Sequence, residues 1–583
     1  MSGDALPRLG LLADGGIRQG DADLWCSYAA VRTLRWLGAT TCEPDSLAGY
    51  LMSRQNADGA FAWQRGLPSD LWATHYCLQA LADLGRPAPR ADLIREWTGR
   101  LRTADGGFSM TPGQHADIWA AYYASRVYAE ILGSATPATD RLGCWLAGTQ
   151  TQSGGLTWAP GGQTPDVRAC YYGVLTWRGA AGQSPVPLRR DELVAWLREQ
   201  QDRGGGFRFA PGHRPCAWAT FRAVRALDAL GAEPADSGAA RRWLSERRLP
   251  GGGFERWEGY DRPDVWACFS VVGALGTLGV KLAGADRVAI ENFIDSCRIK
   301  GSGFTYTRPD AAGDSLATAA ALIEEAVQPV AEPRRADSLM SWLRRAHLPY
   351  EGGVMYMPGR GAEVRCTLWA VEALGTVRGA DGPSLDRDRL RDWIRELQNP
   401  DGGFGYWLGR GSDVVSTVSA VEVAAACGDD PREWLDAAGA LRFLDACRAG
   451  VRARPAPMAE PTLAATAQAA RALDLLGKHV AARELGVPLA GLASPLGGFG
   501  ATHRALPDLM TTYQVLLAQQ VLDLPVDLSS LRRFLEKVRA GSGFAWSPIS
   551  RQPAGPLAGC LGAQLARFAA SDVTPPRLLR LNL

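Results

Sequence analysis

The stretch DLWATHYCLQALADLGRPAPRADLIREWTGRLRTADGGF, Asp70 to Phe108, reads as one complete structural unit. An acid opens an apolar run that stops at Gly85, and a second run from Ala91 ends in the glycine turn DGGF. Asp at the first turn of a helix accepts backbone N–H bonds and complements the dipole, worth on the order of 1 kcal/mol. Glycine marks where each helix stops. The first helix is apolar almost all round and is expected to be buried; the second carries Arg and Glu on one face and is expected outside.

The same unit recurs along the 583 residues. Its glycine turn ends at Ile17, Phe61, Phe108, Leu156, Phe207, Phe254, Phe304, Val354, Phe404, Phe499 and Phe544, spaced about 44 to 51 residues apart except for one double gap. That gap holds a degenerate copy around Pro455 to Thr462, which brings the count to twelve. The helix-opening acids recur with the turns: Asp23, Asp70, Asp117, Asp166, Asp264, Asp314, Glu363, Asp413, Glu460 and Asp508, with Cys216 and Pro556 in the two remaining units. A catalytic acid is needed once, so acids in nearly every unit read first as helix caps. Repeats of this length stack so that neighbours bury each other's apolar faces. Six helix hairpins close a ring of inner helices sheathed by outer ones, so the expected fold is all-α: two α/α toroids, residues 1–290 and 291–583.

Composition agrees with a folded chain and excludes several classes. Gly is abundant (67) and so is Trp (20), but 46% hydrophobic residues and a net charge of +2 argue against disorder. No basic block is present, so nucleic acid is not an expected partner. No stretch approaches a membrane span, and Met1 to Gly20 lacks the pattern of a secretory signal, so the expected location is the cytoplasm. The twelve Cys include no CxxC pair; Cys26, Cys77, Cys170, Cys268 and Cys366 sit in apolar segments and read as reduced, buried thiols.

Helix hairpins, glycine turns and the Gln before them (Gln55, Gln200, Gln201, Gln398) together resemble the prenyltransferase and squalene-hopene cyclase repeat family over nearly the whole chain. The resemblance implies the two-toroid architecture of class II terpenoid cyclases. It also fixes where the chemistry should lie. Laying PDVWACFSVVGAL (Pro263 to Leu275) on the family's DxDD pattern puts Trp266 on the proton donor and Ala267 on the last Asp. The same position, two residues past the acid, is Trp25, Trp72, Trp119, Arg168 and Trp218 in the other early units, and no later unit has an acid there. The family's zinc site fares no better, because Cys268 has Trp266 where the metal-binding Asp belongs. Asp429 and Asp430 do not form a DDxxD. Metal or other cofactor is therefore not expected, with Mg²⁺ entering only if the substrate is a diphosphate.

On that alignment the first toroid presents Trp25, Trp72, Trp119, Arg168, Trp218 and Trp266 to its cavity, then Tyr28, His75, Tyr76, Tyr122, Tyr123, Tyr171, Tyr172, Phe221 and Phe269, then Arg32, Gln79, Arg126 and Arg225, with Arg222 one turn before. Aromatic faces stabilise cations and Arg forks clamp phosphate, so a prenyl diphosphate suits both. Equally, one aromatic register arises when every unit packs alike, and the Arg residues can pair with neighbouring acids. Glu372 and Glu422 hold the Arg register in the second half, where Glu372 is either a desolvated acid or neutralised by Arg365. Other candidate acids are Asp310 and Asp314, with Asp21 and Asp261 placed similarly before Asp23 and Asp264.

Two functions follow. One is a terpenoid cyclase-like enzyme that folds an isoprenoid in an aromatic cavity and starts from a non-standard proton donor (Asp310, Asp314 or Glu372). The other is a non-catalytic isoprenoid-binding or scaffold protein that has lost the acid. A metal-independent transferase and a sugar-active (α/α) barrel stay open behind them. The expected partner is an isoprenoid small molecule; peripheral membrane contact is compatible with it, and the oligomeric state is not readable.

Overall fold

The computed structural model describes residues 10–19, 22–63, 68–327, 333–358, 360–377, 385–541, 543–550, 552–571 and 575–583, with the side chains of 333 and 334 left aside. Asp21 lies outside the described residues. The chain forms two compact units, the first made of Asp21–Pro309 with Gly409–Gly411, the second of Met1–Gly20, Asp310–Leu408 and Ser412–Leu583. The division thus falls at Pro309, and residues 10–19 belong to the second unit.

Each unit is an α/α toroid. In the first, the inner helices are Leu24–Trp36, Leu71–Asp83, Ile118–Arg126, Val167–Ala181, Ala217–Ala229 and Val265–Thr277. Each packs on the next and the sixth returns to the first. In the second they are Ser315–Val327, Val364–Thr376, Val414–Ala426, Leu463–Leu475, Leu509–Val521 and Pro556–Ala570, again closing sixth on first. Outer helices such as Ala91–Arg100 bury one stripe only, Ile94, Trp97 and Thr98, as the sequence pattern requires. Among the described residues no helix is long and apolar enough to cross a membrane.

The acids act as caps. Asp70 accepts from the Ala73 N–H at 3.0 Å and Asp413 from that of Ser416 at 2.7 Å, and the others do likewise. Two expectations are corrected. Thr462, not Glu460, caps the helix at Leu463, because its hydroxyl accepts from the Ala465 N–H; the position two residues on is therefore Ala464. Pro556 is the first helical residue and Gly555 the N-cap, so that helix has no side-chain cap.

The glycine turns exist because the next outer helix sits on them. Gly106 has φ +103°, and a Cβ there would meet the Arg141 carbonyl oxygen at 2.7 Å; a Cβ on Gly107 would meet the Trp145 indole at 2.8 Å. Several turns are also locked to the inner helix 13 residues on: the Phe61 N–H donates to Thr74 Oγ1, the Phe207 N–H to Thr220 Oγ1 and the Phe404 N–H to Thr417 Oγ1. The same lock closes the rings. The Phe304 N–H donates to Ser27 Oγ at 2.9 Å in the first toroid, and the Ile17 N–H to Thr318 Oγ1 at 3.1 Å in the second. The described thiols form no disulfide; Cys42 and Cys144 are exposed, and the five named from the sequence are buried.

Candidate functional site

The cap register determines what points into the first toroid. Two residues past each cap, the indoles of Trp25, Trp72, Trp119, Trp218 and Trp266 are at most 5% exposed and touch one another. Trp25 lies 4.8 Å from both Trp72 and Trp266, and Trp72 lies 4.8 Å from Trp119. Trp25 also reaches Trp218, on the fifth inner helix, at 5.8 Å. These two helices are not neighbours, so the indoles meet across the ring. At this level the indoles form one buried aromatic cluster, each ring pair adding about 0.5–1.5 kcal/mol beyond burial.

Arg168, at the same register, is buried and paired. Its Nε and Nη2 bond Asp166 at 3.0 and 2.8 Å, and its guanidinium lies 4.2 Å from the Phe209 ring. Asp117 and Asp264 cap the helices bearing Trp119 and Trp266. Burial pushes both carboxyls up to about 6, against the nearby charges of Arg410 and Arg256 respectively. Asp264 Oδ1 accepts from the Ala267 N–H at 2.8 Å, while Oδ2 has no hydrogen-bond partner among the described residues. Arg410, in the same unit through Gly409–Gly411, donates to Asp70 at 3.3 Å.

One turn further in, the side chains become polar and aromatic together. Tyr28 stacks on Tyr76 with centroids 4.0 Å apart, and His75 lies 5.0 Å from Tyr123 and about a ring's width from Tyr28 and Tyr122. The Tyr122 and Tyr171 hydroxyls are 3.3 Å apart. Arg222 lies over Trp218 at 4.4 Å, within 5.7 Å of the Tyr171 and Tyr172 rings, and donates to the Tyr172 hydroxyl at 3.3 Å. Burial, then the charges of Arg126 and Arg32, hold the His75 imidazole well below its usual range, so it is neutral at pH 7. Neither His75 nitrogen has a hydrogen-bond partner among the described residues, nor do Arg126 Nε and Arg222 Nε.

The outermost Arg residues pair with acids. Arg32 meets Asp83 at 2.6 Å, Arg126 meets Glu130 at 2.5 Å, and Arg225 lies 3.6 Å from Asp228. With its amide turned to satisfy both neighbours, Gln79 accepts from Arg32 at 2.8 Å and donates to Glu130 at 3.3 Å.

The three acids expected as donors all belong to the second unit. Asp310 is exposed on a short turn, Pro309–Ala311. Asp314 is a buried cap whose oxygens accept from the N–H groups of Ala317 and Gln19. Glu372 is raised by burial but faces Arg580 at 3.6 Å, not Arg365, which pairs with Glu363 at 2.7 Å. Glu422 bonds Arg471 at 2.8 Å. The sequence reading passed over Glu324, whose carboxyl burial pushes up to about 7, and Arg256 over Trp218 at 5.0 Å. An acid inside an apolar inner helix was the available signal for Glu324; Arg256 sits in a turn and gives none.

The zinc chemistry of protein prenyltransferases does not fit these residues. Burial keeps the Cys268 thiol protonated, its pKa far above the ordinary value, and among the described residues no three His, Cys, Asp or Glu side chains are placed to hold a metal.

The chain is similar in structure to ent-copalyl diphosphate synthase from Streptomyces platensis, at 17% identity and TM-score 0.43, covering 94% of this chain and 96% of that one. It is also similar to Candida albicans protein geranylgeranyltransferase-I (12% identity, TM-score 0.37, 50% of this chain and 88% of that one) and to a type II terpene cyclase from Scytonema (16%, 0.32, 46% and 92%). No curated protein sequence matches it. The family model of the prenyltransferase alpha-alpha toroid domain matches residues 10–70, 65–256, 217–367 and 255–485, from one end of the first toroid well into the second. The chain belongs to the prenyltransferase α/α-toroid family.

Proposed function

We propose that this protein binds an isoprenoid bearing an anionic head and does not start its cyclisation by the family's acid. The observation that carries the reading is the set of unpartnered polar atoms on His75, Arg126 and Arg222, held among Tyr28, Tyr122, Tyr171 and Tyr172. Buried donors left unpaired cost about 1–3 kcal/mol each, and a phosphate or carboxylate would recover it. The tyrosine faces suit a prenyl chain beside that head. Trp266 stands where the resemblance puts the family's donor, and its indole packs on those of Trp25 and Trp218.

A second reading, a cyclase-like enzyme with a non-standard donor, is favoured by Asp117 and Asp264, which keep their protons to about pH 6. Against it, a raised pKa retains the proton at the expense of acid strength.

Incubation with a panel of prenyl diphosphates, squalene and epoxidised prenyl compounds separates the two, with binding followed by tryptophan fluorescence and products by mass spectrometry. Saturable binding of a diphosphate without product, weakened about tenfold or more by Arg222→Ala, supports the binding protein. A cyclic product lost in Asp264→Asn supports the enzyme. Neither binding nor product would reject both.

A further inference from the structure

In the second toroid, residues 575–583 (PPRLLRLNL) run as an extended segment against five of the six inner helices, and Leu578, Leu581 and Asn582 are at most 2% exposed. Its backbone is not paired by secondary structure; inner-helix side chains read it instead. The Gln520 amide accepts from the Leu578 N–H at 2.8 Å and donates to the Pro576 carbonyl at 3.0 Å. Tyr513 donates to the Leu579 carbonyl at 2.9 Å and Gln564, on the sixth helix, accepts from the Leu579 N–H at 3.3 Å; Gln514 donates to the Leu581 carbonyl at 2.6 Å, and Trp369 to that of Asn582 at 2.8 Å.

The Asn582 side chain is matched on both faces. Its oxygen accepts from Arg471 at 2.8 Å, while its NH₂ donates to Glu422 at 2.8 Å and to Ser419 at 3.1 Å. Arg471 and Glu422 are themselves buried, and a buried ion pair is tolerable only where its remaining donors and acceptors are satisfied. Arg580 adds a pair with Glu372. A segment that only filled space would need apolar neighbours. Here polar groups on five helices have partners because an extended backbone and one carboxamide lie between them.

We propose that the second toroid is a peptide-binding chamber, specific for an extended segment of the Leu-x-x-Leu-Asn kind, and that residues 575–583 are its occupant in cis. Asn582 is the specificity-determining residue and Arg471 with Glu422 is its reader.

The test uses the full chain with Asn582→Ala. Hydrogen exchange by mass spectrometry should show the amides of 578–582 exchanging at least tenfold faster while inner-helix peptides of the second toroid stay protected. A synthetic PPRLLRLNL peptide should then bind that variant with one-to-one stoichiometry in calorimetry, and the same peptide with Ala for Asn should not. The wild-type chain, already filled, should bind neither. If Asn582→Ala leaves the segment seated, Leu581→Asp with Asn582→Ala releases it and the peptide is tried again. A released segment with no peptide binding overturns the proposal, as does exchange of 578–582 at free-chain rates in the wild type. Binding of the Ala peptide as tightly as the Asn peptide overturns the role of Asn582.

Discussion

Asp264 and Trp266 are two residues apart and carry opposite messages. On the DxDD pattern that the sequence resembles, the Asp falls on the first position and the Trp on that of the proton donor. In the structure Asp264 caps its helix and is almost wholly buried, so the cost of its charge is borne by the fold. A carboxyl raised from 3.8 to about 6 on folding binds its proton more tightly folded than unfolded. Its contribution is fully present below pH 4 and is lost as pH rises toward 6, amounting to about 3 kcal/mol by linkage. Asp264→Asn keeps the oxygen that accepts from Ala267 and removes the charge. It should therefore match the wild type near pH 4 and exceed it by about 1–3 kcal/mol at pH 7 in urea titrations. A variant less stable at pH 7 would show that the ionised form is favoured in the fold. The sequence made this cap and its neighbour readable because both sit at fixed offsets from a repeated turn. It did not show that the indoles fill the ring's centre, because packing across a ring joins residues nearly 200 positions apart.

At the scale of the element, the glycine turn was legible because two local constraints coincide in it. The first glycine needs positive φ, and the space over both is taken by the following outer helix. That second constraint also accounts for a set of Trp residues whose purpose composition did not reveal: Trp145, Trp196, Trp243, Trp342 and Trp393 lie on outer helices over the glycine turns. The side-chain lock on the turn has no mark in the sequence, because its acceptor is Thr220 13 residues on in one unit, Cys170 14 residues on in another and Ser27 at the ring closure, and no periodicity in polarity links them. The turn is open to a matched comparison. Gly402 has φ +89° and a Cβ would lie 2.2 Å from the Gly439 oxygen, whereas Gly428 has φ +82° and open space. Gly428→Ala should cost only the backbone term, about 1–2 kcal/mol. Gly402→Ala should cost at least about 2 kcal/mol more, since backbone must move, as read from paired denaturation midpoints. Equal costs would mean that the outer helix yields freely.

For the whole molecule, twelve units and two rings follow from counting turns, but which turn completes which ring does not. Phe304 closes on Ser27 across 277 residues and Ile17 on Thr318 across 301. The sequence carries no mark of this, since every turn looks alike and the closing partner is set by ring geometry. The segment 575–583 was equally illegible, having neither periodicity nor a repeat to compare with. Closure makes a local bond answer for a long loop. Within the ring, the Phe207–Thr220 lock joins residues already adjacent; at the junction, the Ile17–Thr318 lock holds a short segment whose only continuity with the second toroid is through space. A hydrogen bond of this kind is worth about 1–1.5 kcal/mol, or roughly fivefold to tenfold in a local opening equilibrium. Thr318→Val should raise amide exchange in residues 12–17 by that factor while leaving peptides of 68–309 unchanged, because the loss falls on one junction of one ring. Thr220→Val should leave residues 12–17 untouched. If Thr318→Val accelerated exchange evenly throughout the second toroid, closure would be a property of the whole ring's cooperativity and not of this junction.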